Sequence, residues 1–188
     1  MIGGYRIEGH AIVSADDRIA DPEGNTPPEL SNEADWMRFQ RALDEAAVMV
    51  VGRLSHDANP NARRRNRLVV SSSAAGCERR SDAWWWNPAD TPLAEALATA
   101  APGGGIVAVP GGRLIFDLFR TIGFDAFHLA RCEDIRIPGG VPLFSDVTAD
   151  RPADAVLAAD GLVAGPREII DAEGNVSLVT WRRAADPA

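Results

Sequence analysis

The chain contains no lysine. All 19 of its cationic side chains are arginine, against 27 aspartates and glutamates, for a formal net charge of −8. An acidic chain without lysine argues against a general nucleic-acid binder, which needs a basic face to displace counterions from phosphate. The same absence removes Schiff-base chemistry and the lysine of a P-loop. Any anion held here must be held by arginine, hydroxyls or backbone N–H groups. Cysteine is nearly as scarce: Cys77 and Cys132 are far apart and not in a metal-ligand spacing, so neither a disulfide framework nor a zinc site is indicated. The histidines His10, His56 and His128 are scattered, and no metal is expected. No apolar run approaches the ~18 residues of a membrane span. The opening residues Met1-Ile2-Gly3-Gly4-Tyr5-Arg6 lack the apolar core of a signal peptide. These exclusions lead to an acidic, cytoplasmic globular protein with neither membrane nor nucleic-acid partners.

What is present suits one domain spanning residues 1–188, with 46% hydrophobic residues to build a core. Residues 5–14 read as an opening strand, turned by Asp16-Asp17. Asp21 to Leu30 carries three prolines and a glycine in a polar stretch, the pattern of a loop that covers something. Ser31 or Asn32 can cap a helix to about Leu43, with Trp36, Phe39, Gln40 and Leu43 at helical spacing. The continuous apolar run 46–51 suits a strand buried on both faces, and 68–71, 83–86, 105–109 and 126–131 read as further strands. Helices are expected from Asp90 or Thr91 to about Ala100, and from Arg113 to Thr121. Near the end, Leu162–Glu168 and Val176–Trp181 flank a hairpin signature at 171–175. Residues 145–155 read as a connecting loop. Strand–helix alternation closed by an antiparallel hairpin gives an α/β sandwich around a mixed sheet.

Three segments can carry chemistry. Val109-Pro110-Gly111-Gly112-Arg113 lies between a strand and a helix, where glycines admit close backbone approach and helix N–H groups can meet a phosphate; a tight turn without ligand explains it as well. Gly52-Arg53-Leu54-Ser55 also ends a buried strand, and Arg53 with Ser55 could hold a phosphate. The two together are stronger, since ligands of open α/β sheets bind beyond the carboxyl ends of strands. Asp35 stands one turn into its helix, either simply favouring the helix dipole or, if buried in a cleft beside Trp36 or Phe39, holding a proton.

The order of these motifs resembles the dihydrofolate reductase-like superfamily. Residues 11–20 (AIVSADDRIA) are similar to its opening strand and the loop that closes over substrate and nicotinamide. Asp35 and Phe39 resemble its acid and ring-stacking aromatic, and Gly52-Arg53 with Ser55 resembles its Gly-Arg-x-Thr element. Val70-Ser71-Ser72-Ser73, Gly111-Gly112-Arg113 and Gly140-Val141-Pro142-Leu143-Phe144 follow in matching order. The resemblance implies a three-layer α/β sandwich with a central, mostly parallel mixed sheet, and NADPH as cofactor. It implies Asp35 as catalytic residue and Phe39, Asn59 and Arg63 as substrate contacts. Cofactor contacts are implied at Ala11, Ile19, Gly52, Arg53, Ser55, Ser72 and Ser73. Val109, Gly111, Gly112, Arg113 and Leu114 are implied to join them.

Within the superfamily, Gly52 to Arg63 and Gly139 to Phe144 look closer to the reductase domain of riboflavin-biosynthesis deaminase-reductases, which reduces a phosphoribosylamino-pyrimidine. Pro110 stands where that branch carries Glu, and Ala58-Asn59-Pro60 stands where it carries Asp-Asp-Pro. The folate branch fits Asp35 better, though Ala130 replaces its substrate-side Thr. No deaminase segment precedes the reductase region, so reduction alone is expected. A homodimer is an expectation from the riboflavin branch. Pro110 in place of the Glu and Ala130 in place of the Thr leave open a catalytically idle nucleotide-binding or dimeric interaction protein on the same fold. Arg63-Arg64-Arg65-Asn66-Arg67 reads as a solvated loop or a set of phosphate partners. Trp84-Trp85-Trp86 reads as core or dimer packing rather than adenine stacking, and Arg79-Arg80 as an exposed loop pair rather than a partner of the 2′-phosphate.

Overall fold

The uninterrupted apolar runs become strands covered on both faces, as a parallel sheet between helices requires. In the computed structural model, which describes residues 2–184, the chain begins with β1 (Tyr5–Ser14), β2 (Arg18–Ala20) and α1 (Glu33–Glu45). β3 (Val48–Gly52), α2 (Arg53–Ala58), β4 (Arg67–Val70), β5 (Cys77–Arg80) and β6 (Ala83–Trp86) follow. Next come α3 (Leu93–Ala100), β7 (Gly105–Val109), α4 (Arg113–Ile122) and β8 (Ala126–Cys132). β9 (Val141–Pro142), α5 (Ala153–Ala159), β10 (Leu162–Asp171) and β11 (Val176–Arg183) complete it. Met1 and residues 185–188 of the expected 1–188 span lie outside the described residues.

Nine strands form one sheet in the order β10-β11-β8-β1-β7-β3-β4-β6-β5, while β2 and β9 pair separately. The run from β8 to β6 is parallel throughout, and β5, β11 and β10 are antiparallel additions at the two edges. This is the mixed, mostly parallel α/β sheet with a C-terminal hairpin that the sequence led us to expect. Alternation along the strands separates two packing faces. Helices α3, α4 and α5 cover Ile7, Val50, Leu68, Val107 and Phe127, whereas Leu43 of α1 packs on Met49, Val51, Val69 and Ala108 of the opposite face. The rings of Phe116, Phe127 and Phe144 meet at 5.4–6.1 Å between centroids in the larger core. No helix among the described residues is long and apolar enough to cross a membrane.

Several local expectations are corrected. Arg79-Arg80 is not a loop pair: it belongs to β5, with the Arg80 guanidinium 4.7 Å from the Trp85 ring and Arg79 5.5 Å from Trp84. Pairing with β6 supplies the hydrogen bonds this polar segment could not promise by pattern. The 145–155 loop ends early, because α5 begins at Ala153, whose N–H donates to the buried Asp17 carboxylate at 2.8 Å. Helix α3 starts after Pro92 without a side-chain cap; the Thr91 carbonyl instead accepts from Trp86 Nε1 at 2.7 Å, and Asp90 accepts from Asn87. The arginine-rich stretch is only partly solvated. Arg65 donates to Asp44 and Gln40 of α1, and Arg67 is buried on β4.

Candidate active site

Parallel strands bring their C-terminal ends to a common rim. Because β7, β3 and β4 are neighbours, Pro110–Arg113, Gly52–Ser55 and Ser71–Ser73 follow strand ends that lie side by side. Next to this rim, a cavity of about 940 Å³ is lined by α1, by the sheet face below it, and by Gly24, Thr26 and Leu30 of the Asp21–Leu30 segment. That segment is irregular except for a short 3₁₀ turn at Pro28–Leu30.

Asp35, Phe39, Asn59 and Arg63 all line the cavity. Ala11, Ile19, Ser55, Gly111 and Gly112 line it too. Helix α1 owes its start to Asn32, whose side-chain oxygen accepts from the Asp35 N–H at 3.0 Å. Burial raises the Asp35 carboxyl to about 6, a shift that the charge of Arg38 partly offsets. Trp36 and Phe39 stand 5.9 Å apart beside it. A cavity carboxyl raised to about 6 is mostly ionised at neutral pH, yet it takes up and releases a proton far more readily there than an ordinary carboxylate.

The remaining residues singled out from the sequence stand outside the cavity lining. Gly52 caps α2, with Arg53 beginning that helix; the exposed Arg53 guanidinium lies 3.4 Å from Asp57. Ser72 is exposed, and the Ser73 hydroxyl lies 2.9 Å from Ser71 Oγ and 3.3 Å from Arg80. Val109 is buried at the end of β7, and Leu114 is exposed on α4. Arg113 begins α4, and its Nε is buried without a hydrogen-bond partner. Gly111 adopts φ +100°, and open space surrounds the position a Cβ on Gly112 would take. An orphaned guanidinium nitrogen, free helix N–H groups and an open glycine fit a phosphate group. The Gly111–Gly112 peptide bond is cis.

A second group on the cavity floor was not found from the sequence. His10 of β1 sits opposite His128 of β8, with the rings stacked at 4.7 Å and inclined by 12°. His128 Nε2 lies 3.2 Å from Glu8 Oε2, and Arg6 Nε lies 2.5 Å from Glu8 Oε1. Burial pushes the Glu8 carboxyl upward, but His128, Arg6 and His10 together outweigh it and hold the group below its ordinary value. Burial lowers His10 to about 4, with His128 adding to the effect and Glu8 opposing it, so the imidazole is neutral. The histidines are therefore not all scattered. Two strands remote in sequence pair in parallel and bring two of them together, and only the even-position polar residues of β1 hinted at a polar face.

The sheet order, the crossover helices and the cavity at the strand ends define a dihydrofolate reductase-like α/β fold. Many solved structures share it, three of which illustrate the likeness. One is described as a riboflavin biosynthesis protein, from Shewanella sp. PV-4 (18% identity, 96% of this chain and 99% of that one, TM-score 0.63). Another is a diaminohydroxyphosphoribosylaminopyrimidine deaminase/5-amino-6-(5-phosphoribosylamino)uracil reductase from Thermotoga maritima (13% identity, 96% and 57%, TM-score 0.66), of whose length this chain spans little more than half. The third is dihydrofolate reductase from Enterococcus faecalis complexed with NADP(H) and RAB-propyl (15% identity, 96% and 97%, TM-score 0.63). At these identities the likeness is one of fold. No protein-family model and no curated protein matches the sequence.

Proposed function

We propose that the protein is an NADPH-dependent reductase acting on a pyrimidine that bears a phosphorylated ribosyl group, the substrate class named for the Thermotoga maritima neighbour. The observation that carries this reading is the cavity itself. It holds a carboxyl group raised to about 6 at Asp35, and it adjoins a strand-end rim with phosphate-binding character at Gly112 and Arg113. The reduced nicotinamide, when bound, supplies the hydride.

The chain's own residues do the rest. The backbone at Gly111 and Gly112 and the Arg113 guanidinium hold the pyrophosphate. Arg53, Ser55 and Ser72 or Ser73 hold the 2′-phosphate, with Arg80 already beside Ser73. Phe39 packs on the substrate ring, and Asn59 and Arg63 meet its polar and anionic end. Asp35 orients the substrate or supports proton delivery to the heteroatom next to the carbon that is reduced. The Asp21–Leu30 segment covers the cavity and excludes water.

NADPH oxidation measured against a panel of phosphoribosylamino-pyrimidines and dihydropteridines tests this. The expected result is turnover of the pyrimidine, lost in Asp35→Asn, and an NADPH affinity above that for NADH, a preference that Arg53→Ala abolishes. Turnover of a dihydropteridine instead would assign the folate branch. NADPH binding without reduction of any compound, unchanged by Asp35→Asn, would make the protein a nucleotide binder and reject catalysis. Equal affinity for NADPH and NADH in the wild type would reject the 2′-phosphate assignment.

A further inference from the structure

The floor of the cavity gathers donor atoms that the reductase reading does not use. We propose that Glu8, His10 and His128 bind a divalent transition-metal cation of Zn²⁺ type through one carboxylate oxygen and two imidazole nitrogens. One ligand atom from each of the three residues lies within 4.8 Å of the others. The framework that places them is rigid. β1 and β8 are adjacent parallel strands with His10 in register with His128, and Glu8 precedes His10 by two residues on the same face. Metal–nitrogen bonds of about 2.0–2.1 Å require these atoms to converge further, which rotation about the side-chain torsions supplies.

A separate observation points to a ligand. His10 Nε2 is buried without a hydrogen-bond partner, on a residue only 8% exposed whose ring lines the cavity. A buried polar nitrogen is costly unless something meets it. The outer contacts suit a metal as well. Thr180 Oγ1 lies 3.2 Å from His128 Nδ1 and accepts its N–H in the tautomer that frees Nε2, and Arg6 occupies the other oxygen of Glu8. Such partners fix the tautomer and orientation of metal ligands.

The donor chemistry selects the cation. Two imidazoles and one carboxylate suit Zn²⁺ and its neighbours, whereas Ca²⁺ and Mg²⁺ prefer all-oxygen sets. Three protein ligands leave a fourth position on the cavity side, where the Phe39 ring stands 6.2 Å from His10. That position takes water or an oxygen of whatever molecule the cavity binds. The site stands independently of the reductase assignment.

Chelator-treated, full-length protein titrated with Zn²⁺ against a chromophoric chelator tests the site without reference to activity. The expected result is one Zn²⁺ per chain, weakened about a hundredfold or more in His10→Ala/His128→Ala and unchanged in His56→Ala, the remaining histidine. Co²⁺ in place of Zn²⁺ should give the visible absorption of tetrahedral coordination. Thr180→Val, which leaves every ligand in place, should weaken binding roughly tenfold. If the double variant does not fold by circular dichroism, Glu8→Gln and Thr180→Val carry the test, and both must weaken binding. Absence of stoichiometric binding in the wild type, or affinity unmoved by these changes, overturns the site.

Discussion

The side-chain oxygen of Asn32 accepts a hydrogen bond from the backbone N–H of Asp35 at 3.0 Å, so the cap that begins α1 also fixes the residue whose carboxyl group enters the cavity. The other half of the Asn32 amide donates to Asp171 Oδ2 at 2.7 Å. Asp171 in turn accepts from the backbone N–H groups of Glu173 and Gly174, which shape the turn between β10 and β11. One side chain therefore couples the start of the cavity helix to the C-terminal hairpin.

Removing that coupling has a measurable cost. Asn32→Ala deletes an N-cap, which is worth about 1 kcal/mol, and also the contact with Asp171. The expected loss in urea unfolding is ~1–2 kcal/mol. Asn32→Ser retains a capping oxygen but cannot reach both partners, so it should recover about half of that loss. Equal stability of the alanine variant and the wild type would show that the cap contributes nothing.

Asp35 gives a pH dependence of defined sign. Its carboxyl stands at about 6 in the folded protein against an ordinary value of 3.8. Between those values the folded state binds more protons than the unfolded one, so stability falls as pH rises through that window. Below about 4 both states are protonated and the penalty is absent; above about 6 both are ionised and it is fully present. Asp35→Asn should thus stabilise the protein by roughly 1–3 kcal/mol at pH 8 and by almost nothing at pH 4. Urea unfolding of both proteins at the two pH values decides it, and a gain of the same size at both would contradict the burial assignment.

Legibility of the sequence depended on whether an element was specified locally. A cap at Ser31 or Asn32, the apolar run of β3 and the Pro110-Gly111-Gly112 stop after β7 each carry their reason within a few residues and were readable, with the structure choosing Asn32. β5 was not: Cys77–Arg80 has no apolar alternation, and its strand state comes from pairing with the tryptophans of β6. α5 was hidden for a similar reason, since its first N–H is met by Asp17, a carboxylate from the other end of the chain. At the cavity, helical spacing put Asp35 and Phe39 on one helix, and the resemblance pointed to them as site residues. The Glu8, His10 and His128 group needed the parallel register of β1 and β8, which no local pattern encodes.

The two glycines after β7 should respond to substitution in opposite ways. Gly111 adopts φ +100°, and a Cβ there would lie 2.5 Å from the Phe116 ring. Phe116 is 1% exposed and packed against Phe127 and Phe144, so the ring cannot move aside without disturbing the core. Gly111→Ala therefore combines backbone strain with overpacking and should cost about 2–4 kcal/mol of stability. Gly112 has φ −65° and nothing within 4 Å of the position a Cβ would take. Gly112→Ala should leave stability within about 1 kcal/mol of the wild type while placing a methyl group where the proposed phosphate approaches. Thermal unfolding together with NADPH titration separates the two roles. Weak nucleotide binding by a well-folded Gly112→Ala protein supports the phosphate placement. Unchanged binding would move the pyrophosphate away from this turn, and equal destabilisation by the two variants would contradict the packing difference between them.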